Sequence, residues 1–202
     1  MTDFTASDIK RAVALLADGA EAAADFLNSA DGRLGDGDLG ITVAKGWREA
    51  ADRAGAMPDD VGLTFLALAK AFQAASSSSF GTLTATALMS AAKACKGRQA
   101  VPWSELSALL AGARDAMMAR GKGELGMKSV LDMIDALAAA TAGRDTPATL
   151  ATAAKLAAEQ TLERFRDKPN GLGRARVYAD KSIGIDDPGM LAVTVMLAAL
   201  TP

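Results

Sequence analysis

Apolar residues recur at intervals of three and four along nearly the whole chain, a spacing that gathers them onto one face of a helix. Ile9, Val13, Leu16, Ala20, Ala23 and Leu27 form one such stripe. Val61, Phe65, Leu68 and Phe72 form a second, and Leu106, Leu110, Ala113 and Met117 a third. No sustained alternation of β-branched and polar residues interrupts them, so a sheet is not expected. The pattern predicts an all-α fold.

The prolines mark where the helices begin. Pro58, Pro102, Pro147 and Pro188 each stand just before or at the start of an apolar run, where a missing N–H is harmless and the fixed φ helps. Thr146 and Asp187 precede two of them as N-caps. The spacing predicts eight amphipathic helices, over roughly 7–28, 40–55, 59–75, 81–96, 103–120, 127–142, 147–166 and 188–200. Most connections are short, which favours antiparallel neighbours in a closed bundle or barrel. Half of the 202 residues are hydrophobic, and neither a composition shift nor an internal repeat divides them, so 1–202 reads as one domain.

The chain contains no histidine. That excludes Ser–His–Asp and Cys–His nucleophilic sites, histidine zinc sites and histidine pH switches. Chemistry must come from carboxylates, hydroxyls, Lys, Arg, backbone amides or a bound cofactor. A formal net charge of −2 without a basic stripe argues against a nucleic-acid partner. The single cysteine, Cys95, lies in the Ala-rich run MSAAKACKG and reads as a small buried hydrophobe rather than a reactive thiol. The start, MTDFTASDIK, lacks the basic-then-apolar order of a signal peptide. Met190 to Leu200 is the longest apolar stretch and falls short of the ~20 residues of a membrane span. A soluble, cytoplasmic protein without a membrane partner is the expectation.

Chemistry concentrates between the helices. Ala30–Gly40 reads ADGRLGDGDLG and holds Asp31, Asp36 and Asp38 among four glycines. Like charges this close repel unless a cation or hydrogen-bond donors satisfy them, and glycines let the backbone curl so that carboxylates converge. A hard cation such as Mg²⁺ takes oxygen ligands of this kind, although a solvated Asp/Gly turn has the same composition. An EF-hand is excluded because its closing Glu position, counted from Asp36, is Trp47. Gly35/Gly37/Gly40 and Gly121/Gly123/Gly126 both spell G-x-G-x-x-G, but each follows a helix rather than a strand, and no P-loop motif exists. Gly-rich turns opening into helices still offer N–H groups and a positive dipole end to phosphate. The small residues of Ser76–Ser79, Gly81 and Thr82 suit that task or, equally, a polar cap. The long connection 170–189 carries Arg174, Arg176, Lys181, Ser182, Asp186 and Asp187, a basic lid or a solvated loop. Carboxylates, small-residue helix starts and a basic loop together describe a Mg–nucleotide site, which works without histidine.

In this order the segments resemble the L subunit, the nucleotide-binding subunit, of bacterial dihydroxyacetone kinases. Asp31 with Gly35-Asp36-Gly37-Asp38-Leu39-Gly40 matches that family's first signature, with Leu39 where the family usually has His. Ser76–Ser79 and Gly81-Thr82-Leu83 match its Gly/Ser-rich helix start loosely. Arg120-Gly121 and Gly126-Met127-Lys128-Ser129-Val130-Leu131-Asp132 match the third signature, with Met127 replacing the usual Asp. Gly173-Arg174-Ala175, Ser182-Ile183-Gly184 and Asp187-Pro188-Gly189 match the fourth.

The resemblance implies a ring of eight antiparallel helices. It implies two Mg²⁺ ions held by Asp31, Asp36 and Asp38, the catalytic carboxylates, and bridged to the phosphates of ATP or tightly bound ADP. Ser78, Ser79, Gly81 and Thr82 would contact phosphate, and Gly121, Val130, Arg174 and Asp187 would line the nucleotide. The sugar would be held covalently through a histidine on a separate K-type subunit. Dihydroxyacetone and a related ketose such as erythrulose are both compatible acceptors. The phosphoryl donor is ATP or a phosphotransferase-system protein, and the sequence does not choose between them, nor between a monomer and a homodimer. Two other readings stand beside this one: a nucleotide-binding interaction or regulatory module of the same fold, and a kinase domain serving another carried acceptor such as a fatty acid.

Overall fold

A computed structural model describes residues 3–75 and 78–201. Among them the fold is mostly helical, with nine α-helices. They are α1 (Ala6–Ala22), α2 (Ala24–Asp31), α3 (Leu39–Asp52), α4 (Val61–Ala75), α5 (Ser79–Ala94), α6 (Leu106–Gly121), α7 (Val130–Thr141), α8 (Pro147–Arg166) and α9 (Pro188–Leu200). The expected count of eight is exceeded because the stripe over 7–28 breaks at Ala23, whose ψ of 4° leaves the helical range. Two further differences are short. The ends of the expected 40–55 and 103–120 helices tighten into 3₁₀ turns at Ala54–Ala56 and Trp103–Glu105. A small sheet also exists: β1 (Asp3–Thr5) pairs antiparallel with β2 (Ala100–Pro102), in the register Phe4 to Val101. Strands this short carry no alternation that a sequence pattern could reveal.

Local chemistry sets the helix starts. Thr5 caps α1 in a reciprocal box with Asp8, and Ser129 caps α7 in another with Asp132. Thr146 and Asp187 cap α8 and α9 as the sequence predicts, each followed by Pro at the first helical position. The expected helix over 127–142 begins only at Val130 because Lys128 adopts a left-handed backbone, φ 54°, and Ser129 is the cap.

Each helix from α3 to α9 packs against the next, and both α3 and α9 pack against α1. Gly19 of α1 leaves no room for a Cβ beside Ala199 of α9. The core has two parts. One lies between α1, α3 and α4, where Trp47 meets Phe72 edge to face at 4.8 Å. The other lies between α6, α7, α8 and α9, around Leu131, Met133, Phe165 and Met190. Phe80 of α5 and Met196 of α9 pack against both. Cys95 is fully buried, as expected of a small hydrophobe, and burial pushes its thiol pKa up. No helix among the described residues is long and apolar enough to cross a membrane.

Candidate functional site

The turn between α2 and α3 is built around one side chain. Asp31 ends α2, and its Oδ2 accepts from the backbone amides of Gly37 (2.8 Å) and Asp38 (3.2 Å). The chain reverses tightly enough to bring those amides back only because Gly37 takes φ 75°, a conformation with little steric cost for glycine alone. Asp38 occupies the N-cap position of α3, yet its carboxylate makes no capping hydrogen bond. It gathers instead with Asp31 and Asp36: one carboxylate oxygen of each lies within 4.8 Å of the others. Arg174, from the 170–189 connection, forms an ion pair with Asp36.

This donor set fits a hard divalent cation. Two oxygens on opposite sides of one Mg²⁺ stand about 4.2 Å apart, so the cluster needs only a small contraction. The space beside it is reserved as well, since a Cβ on Gly35 would lie 2.5 Å from Asp31 Oδ1.

The three carboxylates form part of one open cleft, and the rest of its wall is made of helix beginnings. Leu39 starts α3; Ser78, Ser79 and Phe80 start α5; Ser129 and Val130 start α7; Asp187, Pro188 and Gly189 start α9. Four helix N-termini therefore face one cleft. Their aligned dipoles favour an anion, beside a carboxylate cluster that favours a cation. Leu172, Gly173, Arg174 and Ala175 complete the wall. The connection that carries them is partly ordered as a 3₁₀ segment, Arg174–Ser182, kinked at Tyr178.

Asp187 is the buried acid of the site. Its Oδ1 accepts from Met190 N (2.9 Å) and its Oδ2 from Asn170 Nδ2 (2.8 Å). Burial pushes its pKa up to about 6, against the lowering effect of those two hydrogen bonds and of the charge on Lys128.

Of the residues singled out in the sequence, the fold brings Asp31, Asp36, Asp38, Ser78, Ser79, Val130, Arg174 and Asp187 to the cleft. It does not bring Gly81, Thr82 or Gly121 to the wall. The Gly81 and Thr82 amides are used within the first turn of α5, on the side chain and carbonyl of Ser78. Gly121 ends α6 with its open side toward Leu83. Ser76 and Ser77 lie outside the described residues. Sequence reasoning passed over the apolar wall of Leu39, Phe80, Leu83 and Leu172. Leu172 had a signal, standing between two glycines in a polar connection, and Leu39 stood out as the residue in the place of the family's His; Phe80 and Leu83 carried none.

Residues 33–202 match the DAK2 domain family, and the chain belongs to it. It is 25% identical over 181 residues to the ADP-binding subunit DhaL of the PEP-dependent dihydroxyacetone kinase of Escherichia coli (strain K12), a match covering 87% of this chain and 86% of that one. It is 32% identical over 182 residues to the L-erythrulose 1-kinase of Mycolicibacterium smegmatis, covering 86% of this chain and 31% of that protein. Its fold resembles the native dihydroxyacetone kinase of C. freundii with a TM-score of 0.75, 21% identity and 96% of this chain covered. The same enzyme in complex with AMP-PNP and Mg²⁺ matches with a TM-score of 0.74, 20% identity and 99% coverage. The chain spans about a third of the length of the erythrulose kinase and of the C. freundii enzyme.

Proposed function

We propose that the cleft binds a magnesium nucleotide and that the chain, as one nucleotide-binding domain, is the nucleotide-carrying part of a two-component ketose kinase. One observation carries most of the weight: four helix N-termini and three converging carboxylates face the same cleft. Such a site pairs phosphate oxygens with a metal ion. The names of the relatives support it, being those of an ADP-binding kinase subunit and an erythrulose kinase. The packing succession that returns from α9 to α1 supports a closed ring of antiparallel helices, with the cleft at the end where α3, α5, α7 and α9 begin.

Asp31, Asp36 and Asp38 would hold the metal, two ions on the family's pattern. Bound there, magnesium supplies neutralisation of the charge that develops on the transferring phosphoryl group. The dipoles at the starts of α5, α7 and α9 favour the phosphates, and Leu39, Phe80, Leu83 and Leu172 exclude water beside them. Arg174 adds a planar cation to the phosphate side. The chain has no histidine with which to hold a sugar covalently, so a K-type partner subunit would present dihydroxyacetone or erythrulose. The nucleotide would be exchanging ATP, or retained ADP rephosphorylated by a phosphotransferase-system protein.

The test is to denature the purified protein, measure released nucleotide and Mg²⁺, and titrate the emptied protein with ATP and ADP with and without Mg²⁺. Retained, slowly exchanging ADP selects the coenzyme role; reversible Mg·ATP binding selects the ATP-dependent one. Binding of neither, or full activity with a sugar-binding subunit after Asp36→Asn or Asp38→Asn, refutes the assignment.

A further inference from the structure

Lys128 is one of the largest wholly buried side chains of the described structure, with 0% exposure. It does not line the cleft. Its ammonium donates to three backbone carbonyls: Arg166 (2.8 Å), Lys168 (2.8 Å) and Ser182 (2.7 Å). That uses all three of its protons. Burying a lysine is costly, and burial lowers the pKa of this one while the nearby Asp187, Asp186 and Asp167 oppose the shift. The backbone of Lys128 is also left-handed, φ 54°, a conformation that residues other than glycine rarely adopt. A residue kept in so unfavourable a state needs an account beyond packing.

The carbonyls it gathers supply one. Arg166 ends α8 and Lys168 opens the long connection, while Ser182 ends the 3₁₀ segment within it. One ammonium thus ties both ends of the stretch that carries Leu172–Ala175. The tie is reinforced around it. Asn170 Nδ2 donates to Lys128 O (2.7 Å) and to Asp187 Oδ2 (2.8 Å), and Asn170 N donates to Ser182 Oγ (2.8 Å). Gly171 N donates to Met127 O (2.8 Å) and Gly184 N to Arg166 O (2.9 Å). On the other side, Lys128 adjoins Ser129 and Val130, which do line the cleft. Three walls therefore meet behind the site: the start of α7, the Asp187 cap of α9 and the Leu172–Ala175 strip.

We propose that Lys128 is a positioning residue of the cleft: its ammonium closes the neck of the 168–182 connection and so holds Leu172–Ala175 in place against the bound nucleotide. The nucleotide half of this rests on the function proposed above; the tie itself does not.

The test compares wild type with Lys128→Met, which keeps an apolar stem and removes the donors. Hydrogen exchange is measured without nucleotide, Mg·ADP dissociation by displacement, and Mn²⁺ binding alone by paramagnetic resonance. Exchange should rise across 168–184 and stay unchanged in α1 to α4. Mg·ADP should leave about tenfold faster or more, the size expected for a lost hydrogen bond to a charged group. Mn²⁺ affinity should not weaken, because Asp31, Asp36 and Asp38 belong to the α2–α3 turn. A merely structural loss would raise exchange throughout and weaken the metal too. Unchanged exchange in 168–184, exchange that rises evenly, or Mg·ADP release at the wild-type rate would each overturn the assignment. If Lys128→Met does not fold, Lys128→Gln decides: it keeps an amide donor but cannot hold all three carbonyls, and it should produce the same local pattern at smaller amplitude. If wild type binds neither Mg·ADP nor Mg·ATP, the kinase reading falls, and the exchange pattern alone judges the tie.

Discussion

Gly40 offers the sharpest test of how the metal cluster is assembled. A Cβ placed there would lie 1.9 Å from the carbonyl oxygen of Ala24, 2.7 Å from its carbon and 2.9 Å from its Cα. All three are backbone atoms of α2, so no side chain can rotate away. The first turn of α3 and the first turn of α2 must separate by more than an ångström in Gly40→Ala. Overpacking between rigid elements costs about 3 kcal/mol at the upper end of its usual range, or a fall in Tm of roughly 6–12 °C for a chain of this size. The displacement then passes to the site, because α2 carries Asp31 and α3 follows Asp38. A cluster whose oxygens must stay within 4.8 Å loses its geometry, and Mg²⁺ affinity should fall about ten- to hundredfold. Gly55→Ala is the control: its Cβ would meet nothing within 4 Å, and it should leave both quantities near wild type. Thermal unfolding and metal titration on the three proteins read the result. Gly40→Ala melting with the control would refute the steric argument, and a lower Tm with unchanged metal affinity would refute its link to the cluster.

Three other outcomes are expected. Asp187 has a folded pKa of about 6 against 3.8 for an ordinary aspartate, so its contribution to stability is full below pH ~4 and is lost as pH rises through 6. The unfolding free energy of Asp187→Asn, measured by denaturant titration, should therefore gain on that of wild type between pH 4 and 7, by on the order of 2–3 kcal/mol; a constant difference would contradict the assignment. Arg174 competes with a metal for Asp36, so Arg174→Gln should bind Mg²⁺ alone more tightly, by no more than about fivefold for so exposed a pair, and Mg·ADP more weakly. Calorimetry that shows both affinities falling would break the competition argument. Cys95, buried with its thiol pKa pushed up, should react with a thiol reagent only as fast as the protein opens; rapid labelling of the native state would show the site to be accessible.

Much of this molecule is legible along the chain because the relevant physics is local. The 3.6-residue period marks each helix, Thr146 and Asp187 mark two starts, and glycines around Asp31, Asp36 and Asp38 mark a turn that can converge carboxylates. The break at Ala23 was not visible, since the apolar stripe runs through it from Ala20 to Leu27. Nor was the late start of α7, because a left-handed Lys128 obeys no propensity. The resemblance implies nucleotide contacts for Gly81, Thr82 and Gly121, and the fold does not set them on the cleft wall, a placement their motifs do not encode.

The amino-acid sequence by itself determined most of the helical stretches, the caps Thr146 and Asp187, the absence of histidine chemistry and the acidic turn, because each follows from neighbours within a few residues. Tertiary structure alone decided which helix starts share a cleft, that Arg174 reaches Asp36, and that Lys128 is buried on three carbonyls. Those depend on contacts between residues tens to more than a hundred positions apart, and no local pattern encodes the distance between them.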